Sequence, residues 1–141
     1  MKNIILAFLI FYIGDVMGMN VNINIKNIDS NKEGDIIVFI FSELGFPKVH
    51  AKALRKITIP VTNSEAIVTF ENVPSEYAVK VLHDENRDGK VTKNWTGIYP
   101  REGLGFSNKQ KLGAFGPPTF KKAKVKQIEK NKLLEIEILY P

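Results

Sequence analysis

The sequence predicts an all-β fold: an antiparallel, immunoglobulin-like two-sheet β-sandwich of about seven strands, with one long ordered loop. Three observations carry this. Apolar and polar residues alternate with a period of two through most of the chain. Clusters of Gly, Pro, Asn and Asp separate the alternating runs at short spacing. No stretch keeps the 3.6-residue period of an amphipathic helix. A small barrel is the second architecture that the same pattern allows.

The first element is expected to lie outside the fold. Met1, Lys2 and Asn3 make a positively charged start, and Ile4 to Ile13 is an unbroken apolar run of 10 residues. That length suits the core of a secretory signal and falls short of the roughly 20 residues needed to cross a bilayer. Val16 and Gly18 fit the positions before a cleavage site, so Met1 to Gly18 is read as a signal-peptide helix that packs poorly on the rest. The mature chain then begins near Met19 as one domain over residues 19–141, periplasmic or secreted and not membrane-spanning. No cysteine follows the run, which excludes a lipoprotein anchor. A buried first strand or an uncleaved anchor helix is the alternative.

The strands follow in order. Val21, Ile23 and Ile25 alternate with Asn22, Asn24 and Lys26, the mark of a half-buried strand. Asp29 to Gly34 is a turn cluster. Ile36 to Phe41 is continuously apolar, as in a central strand covered on both faces. Phe46 to Leu54 has no strand pattern and suits a single helical turn. Ile57, Ile59 and Val61 alternate again, and Pro60, which lacks an N–H, places that strand at an edge. Ile67 to Phe70 and Tyr77 to Val81 are the next two strands. Near the C-terminus, Ala123 to Ile128 and Leu134 to Tyr140 are expected to pair as a hairpin through Glu129 to Lys132. In the last run Leu134, Ile136, Ile138 and Tyr140 face one way, and Glu135 and Glu137 the other.

Composition bounds the function. With 141 residues, 44% hydrophobic and 25% charged, the chain suits a single globular domain rather than a multidomain enzyme or a disordered tail. Zero cysteines exclude disulfides, a thiol nucleophile and thiolate metal sites. The net charge of +5 and pI of 9.4 would suit nucleic acid in a cytosolic protein, but export argues against that partner. What is left is diffuse attraction to anionic envelope surfaces, or lysines that simply keep the protein soluble.

Asp84 to Lys122 stands apart. These 39 residues have no sustained period, yet they hold six of the ten glycines together with Trp95, Tyr99, Phe106, Phe115 and Phe120. Loops of this length inside compact domains tend to be functional. Asp84-Glu85-Asn86-Arg87-Asp88-Gly89 matches the opening of a calcium loop, with oxygen ligands from Asp84, Asn86, Asp88 and the Lys90 carbonyl. Trp95 stands where the closing bidentate glutamate belongs, so the motif is not an EF-hand. A structural calcium ion and an ion-free turn braced by Asp and Asn side chains both fit; no other cofactor is expected. The loop aromatics, Trp95 and Phe115 among them, are expected to anchor the loop by burial rather than to stack on a ligand. His83 reads as a structural histidine, with His50 too far away in sequence to suggest a shared site. Glu102, between Pro100 and Gly103, is expected to accept backbone N–H bonds or meet a basic group.

Enzyme motifs fail on spacing. Gly105-Phe106-Ser107-Asn108-Lys109 lacks the final glycine of a nucleophile elbow, and Gly103-Leu104-Gly105 does not continue into a dinucleotide fingerprint. Asn94-Trp95-Thr96 is a glycosylation sequon that matters only in a host with that machinery.

Read together, Tyr77-Ala78-Val79, His83-Asp84-Glu85-Asn86, Gly89-Lys90, Pro100-Arg101-Glu102-Gly103-Leu104-Gly105-Phe106-Ser107-Asn108 and Phe115-Gly116-Pro117-Pro118 form one series. It resembles a bacterial family of exported proteins, domain-of-unknown-function family 2141, most specifically over Tyr77 to Ala123. The resemblance implies a periplasmic or secreted β-sandwich similar to transthyretin and carboxypeptidase regulatory domains, with no established activity. It also implies that the loop motifs, His83, Glu102, Phe106, Asn108 and Phe115 included, structure the loop as one unit. Two positions depart from many relatives: Glu76 in place of glycine, and Thr92 in place of an aspartate, which weakens the calcium reading. The expectation is a non-enzymatic envelope protein that binds a protein, peptide or glycan. The competing reading is a hydrolase of an envelope polymer acting through His83, Asp84 and Glu102. Burial separates them, since a hydrolase needs those three side chains to converge in an open cleft.

Overall fold

A computed structural model describes residues 18–141. The expected signal segment therefore lies, apart from Gly18, outside the described residues. The alternating runs form β1 (Met19–Lys26), β2 (Asp35–Phe41), β3 (Arg55–Pro60), β4 (Ala66–Val73), β5 (Glu76–Asp84) and β8 (Asn131–Glu137). Two short strands complete the set, β6 (Leu104–Phe106) and β7 (Val125–Lys126), with a 3-10 turn at Ser107–Lys109 and a helical turn, α1 (Phe120–Ala123), between them. Another single helical turn forms at His50–Lys52, inside the stretch where one was expected.

The strands make two sheets, β4-β1-β8 and β3-β2-β5-β6, with β7 on the first residues of β5. The fold is thus all-β and sandwich-like, not a barrel. β2 lies between β3 and β5, which explains its unbroken apolar run. β3, which ends at Pro60, is an edge strand as its proline requires.

Three expectations are corrected. There are eight strands among the described residues, because β6 forms inside the segment read as strand-free. The sandwich is not wholly antiparallel, since β1 and β8 run parallel, with Ile23 beside Leu134 and Ile25 beside Ile136. Nor is there a C-terminal hairpin, as β7 joins β5 in one sheet while β8 joins β1 in the other. Ala123 closes α1 rather than opening a strand. Gln127 fixes the crossing: its Oε1 accepts the Tyr77 hydroxyl at 2.9 Å, and its Nε2 donates to the carbonyls of Asn20 at 2.9 Å and Glu129 at 2.8 Å. A buried amide with these partners holds the chain more firmly than a turn of exposed Glu and Lys would.

Alternation sends the side chains of β2 to two separate cores. Ile36, Val38 and Ile40 pack inward with Val21, Ile23, Ile25, Val79, Val81 and Ile136 between the sheets. Ile37, Phe39 and Phe41 face outward and pack with Leu82, Leu104 and Phe106. That second core exists because the long segment after β5 folds back over the outer face of the five-stranded sheet.

Candidate functional site

The covering segment begins with a turn that the sequence writes in side-chain hydrogen bonds. Asp84, buried at the end of β5, accepts the N–H of Asp88 at 3.2 Å and of Gly89 at 2.7 Å. Asp88 Oδ1 accepts the Lys90 N–H at 2.8 Å, and the Asn86 side-chain nitrogen donates to Asp88 Oδ2 and to Thr92 Oγ1. Gly89 sits at φ 73°, where its missing Cβ removes the steric penalty. Of the oxygens proposed for calcium, those on the side chains of Asp84, Asn86 and Asp88 therefore already serve backbone N–H groups. Among the described residues no three His, Asp or Glu side chains cluster as a metal site would need.

Glu102 closes the next stretch. It is buried and accepts the N–H of Glu85 at 3.0 Å and of Thr92 at 2.8 Å, the arrangement its position between Pro100 and Gly103 predicts. Burial raises its pKa, and the two amides work against that rise. His83 is fully buried. Tyr140 Oη accepts the Asp29 N–H and lies 2.7 Å from His83 Nδ1, while His83 Nε2 lies 3.0 Å from the Glu33 carbonyl. A carbonyl can only accept, so Nε2 carries the proton and Nδ1 takes the tyrosine hydrogen. His83, Asp84 and Glu102 do not converge: His83 and Asp84 are neighbours on β5 and so face opposite sides of the sheet, and all three are buried and closed on backbone or hydroxyl partners.

The glycine series Gly103-Leu104-Gly105 has a packing cause. A Cβ on Gly103 would stand 2.5 Å from Ile138 and Tyr140 side-chain atoms, and one on Gly105 would stand 2.8 Å from the Glu137 carbonyl oxygen. The two glycines let β6 press against the chain at and beyond the end of β8, where Leu104 and Leu139 exchange backbone bonds at 3.0 and 2.9 Å. Ser107 is no nucleophile: its buried hydroxyl donates to the Ala123 carbonyl and accepts the Val79 N–H. Asn108, at φ 56°, donates to the carbonyls of Lys122 and Lys124.

The aromatics divide in a way the sequence did not suggest. Phe106 is buried, and Phe46 packs edge-on to Phe41, Phe106 and Phe120 with centroids 5.6 to 6.3 Å apart. This cluster anchors the segment. Trp95 and Phe115 do not, being 95% and 105% exposed, and Tyr99 and Ile98 are also exposed. The reason is local. Residues 94–99 close a turn on their own backbone, with the Asn94 N–H on the Tyr99 carbonyl at 2.7 Å, and Gly113 and Gly116 close a second on each other. Each turn is held by its own backbone bonds and so needs no burial of Trp95 or Phe115 to keep its shape. The stretch from Lys90 to Lys122 also carries seven Lys and Arg against one carboxylate, the buried Glu102.

Between these turns and the sheet lies a groove of about 770 Å³. Val49, Val91, Ile98, Leu104, Phe106 and Leu112 contribute apolar wall, and Lys48, Lys90, Lys93 and Asp88 also border it. Its polar feature is Lys80, 4% exposed, set in register between Phe39 and Phe106. Lys80 Nζ donates to the Pro47 carbonyl at 2.9 Å and lies 2.8 Å from His50 Nε2. His50 stacks on Phe39 at 4.2 Å, and its Nδ1 lies 3.0 Å from the Gly89 carbonyl. Gly89 thus fixes the tautomer, with Nδ1 protonated and Nε2 left as an acceptor for Lys80. Burial lowers the Lys80 pKa to about 8. Burial first, then the Lys80 charge, lowers that of His50. Sequence reasoning missed this pair. The available signal was a lone lysine in the otherwise apolar run Tyr77 to Leu82, which reads as an exposed face until the loop is known to cover it.

A family model described as "Uncharacterized protein conserved in bacteria (DUF2141)" matches residues 23–135. The chain belongs to that family. The match runs from within β1 into β8, so the family region includes the covering segment, the groove, Lys80 and His50. Neither a curated protein nor a solved structure matches the chain. Among the described residues no helix is long and apolar enough to cross a membrane.

Proposed function

We propose that the protein is an exported, non-enzymatic β-sandwich module that binds a partner in the bacterial envelope through the face formed by residues 90–122. The partner is a protein, peptide or glycan. One observation carries the reading: the three groups a hydrolase would use, His83, Asp84 and Glu102, are buried and hydrogen-bonded inside the fold. The chemistry left facing outward is aromatic and cationic, with Trp95 and Phe115 at the tips of two turns and lysines around them. Rigid aromatic rings supply contact area at little entropic cost, and exposed ones are common anchors of interfaces. The leader-like run Ile4 to Ile13 and the lack of cysteine support export without a lipid anchor. The finer likeness to transthyretin-type domains belongs to the same reading.

The test is native mass spectrometry of the protein recovered from its own periplasm, beside a Trp95→Ala/Phe115→Ala variant. The expected result is a bound mass that the double variant loses while its melting temperature stays the same. Recovery at bare mass under gentle conditions would contradict the reading. Release of soluble fragments from purified envelope polymer would favour the hydrolase instead.

A further inference from the structure

We propose that the groove is a binding site for a small amphiphile with a carboxylate head and an apolar body, and that Lys80 is the group that receives the head. This goes beyond the binding reading above, adding a small-molecule site beside the face that meets the partner. Among the described residues no carboxylate lies within ion-pair distance of Lys80, although the side chain is almost wholly buried. An ammonium has three protons to donate. The Pro47 carbonyl and His50 Nε2 take two, and among the described residues the third has no protein acceptor. Burying a cation without a counter-charge is costly, and a ligand carboxylate would supply both the missing acceptor and the missing charge.

The surroundings favour that chemistry over a neutral ligand or an inorganic anion. His50 donates from Nδ1 to the Gly89 carbonyl and turns Nε2 to Lys80, so it orients the ammonium without competing for the anion. Lys48, Lys90 and Lys93 border the groove against one carboxylate, Asp88, whose oxygens already accept from Lys90 and Asn86. The volume of about 770 Å³ is that of a small-molecule site, and its mainly apolar lining would be wasted on a bare ion. The body would lie along Val91, Ile98 and Leu112.

Calorimetric titration of the full chain with dodecanoate and with dodecanol, each below its aggregation concentration, tests this. Dodecanoate is expected to bind about tenfold or more tightly than dodecanol, the scale of one charge-assisted hydrogen bond. Lys80→Met is expected to erase that preference while leaving some affinity for both, because a methionine fits the same apolar setting. Equal affinity of the wild type for the two probes overturns the role of Lys80 without using any variant, so the result stands even if Lys80→Met fails to fold. Binding of neither probe overturns the site itself. If the Trp95→Ala/Phe115→Ala variant still loses its bound mass in that case, the envelope-binding reading survives alone.

Discussion

The two faces of the five-stranded sheet are built on different physics. The inner face keeps its polar members, Tyr77 and His83, to the two ends of β5, and between them an aliphatic core of Val and Ile side chains meets β1, β4 and β8. That core needs only shape and burial, which are non-directional and tolerant of sequence. The outer face is aromatic and sits among Lys80, His50, Asp84, Glu102 and Ser107, each with named partners. Low dielectric makes such a polar network stiff when every member is satisfied and costly when one is not. The inner face holds the fold together, whereas the outer face holds a shape with a groove in it.

The contrast can be broken at four points, in falling order of effect. Ile23→Ala removes a fully buried side chain from the inner core. It is expected to cost about 2–5 kcal/mol, read as a lower urea midpoint at unchanged slope. Glu102→Ala leaves the N–H groups of Glu85 and Thr92 without an acceptor and is expected to cost about 1–3 kcal/mol. Amide exchange should quicken in residues 85–103 and not in β1, β4 or β8. Equal loss of protection in both sheets would make the two faces one cooperative unit.

Lys80 supplies the third point. Its folded pKa of about 8 lies below the ordinary 10.5, so between those values the unfolded chain binds more protons and stability rises with pH. The full penalty stands below about pH 8 and fades toward pH 10. Beyond that the buried phenols of Tyr77 and Tyr140, both raised by burial, pull the other way as their unfolded counterparts ionise. Denaturation midpoints should therefore climb between about pH 8 and 9.5 in the wild type and stay level in Lys80→Met. A flat wild-type profile would mean that Lys80 is already compensated. The smallest expected effect is that of calcium. With Asp84 and Asp88 spent on backbone N–H groups, melting curves in millimolar calcium and in chelator should superimpose. A rise in calcium would show that those oxygens turn to an ion.

Legibility in the sequence follows the same division. The period of two names one face of a strand at a time, so the inner core, the edge position of Pro60 and the central position of β2 could be read directly. Glu102 was legible because a carboxylate set between Pro100 and Gly103 has few ways to be satisfied. The outer face was hidden, since its members come from four separate stretches and meet only when the loop closes. Lys80, alternating with Val79 and Val81, has the pattern of a solvent-facing position, and His50 is remote in sequence although it lies 2.8 Å away. Trp95 and Phe115 misled in the opposite sense, because aromatic bulk argues for burial and only the two self-closed turns reveal that it stays outside. The parallel β1–β8 pair escaped because a strand's pattern is the same whichever way its neighbour runs.

That parallel pair also decides when the molecule can exist. Asn20 lies beside Asn131, and the Asn27 side chain bonds the Ile138 carbonyl 111 positions away. A chain delivered N-terminus first, from a ribosome or through a translocation pore, holds β1 without its β8 neighbour until residues 131–137 have emerged. Contacts this distant in sequence form slowly. The three-stranded sheet is therefore the last part to close, and a copy that stops before Asn131 would leave β1 with an open edge.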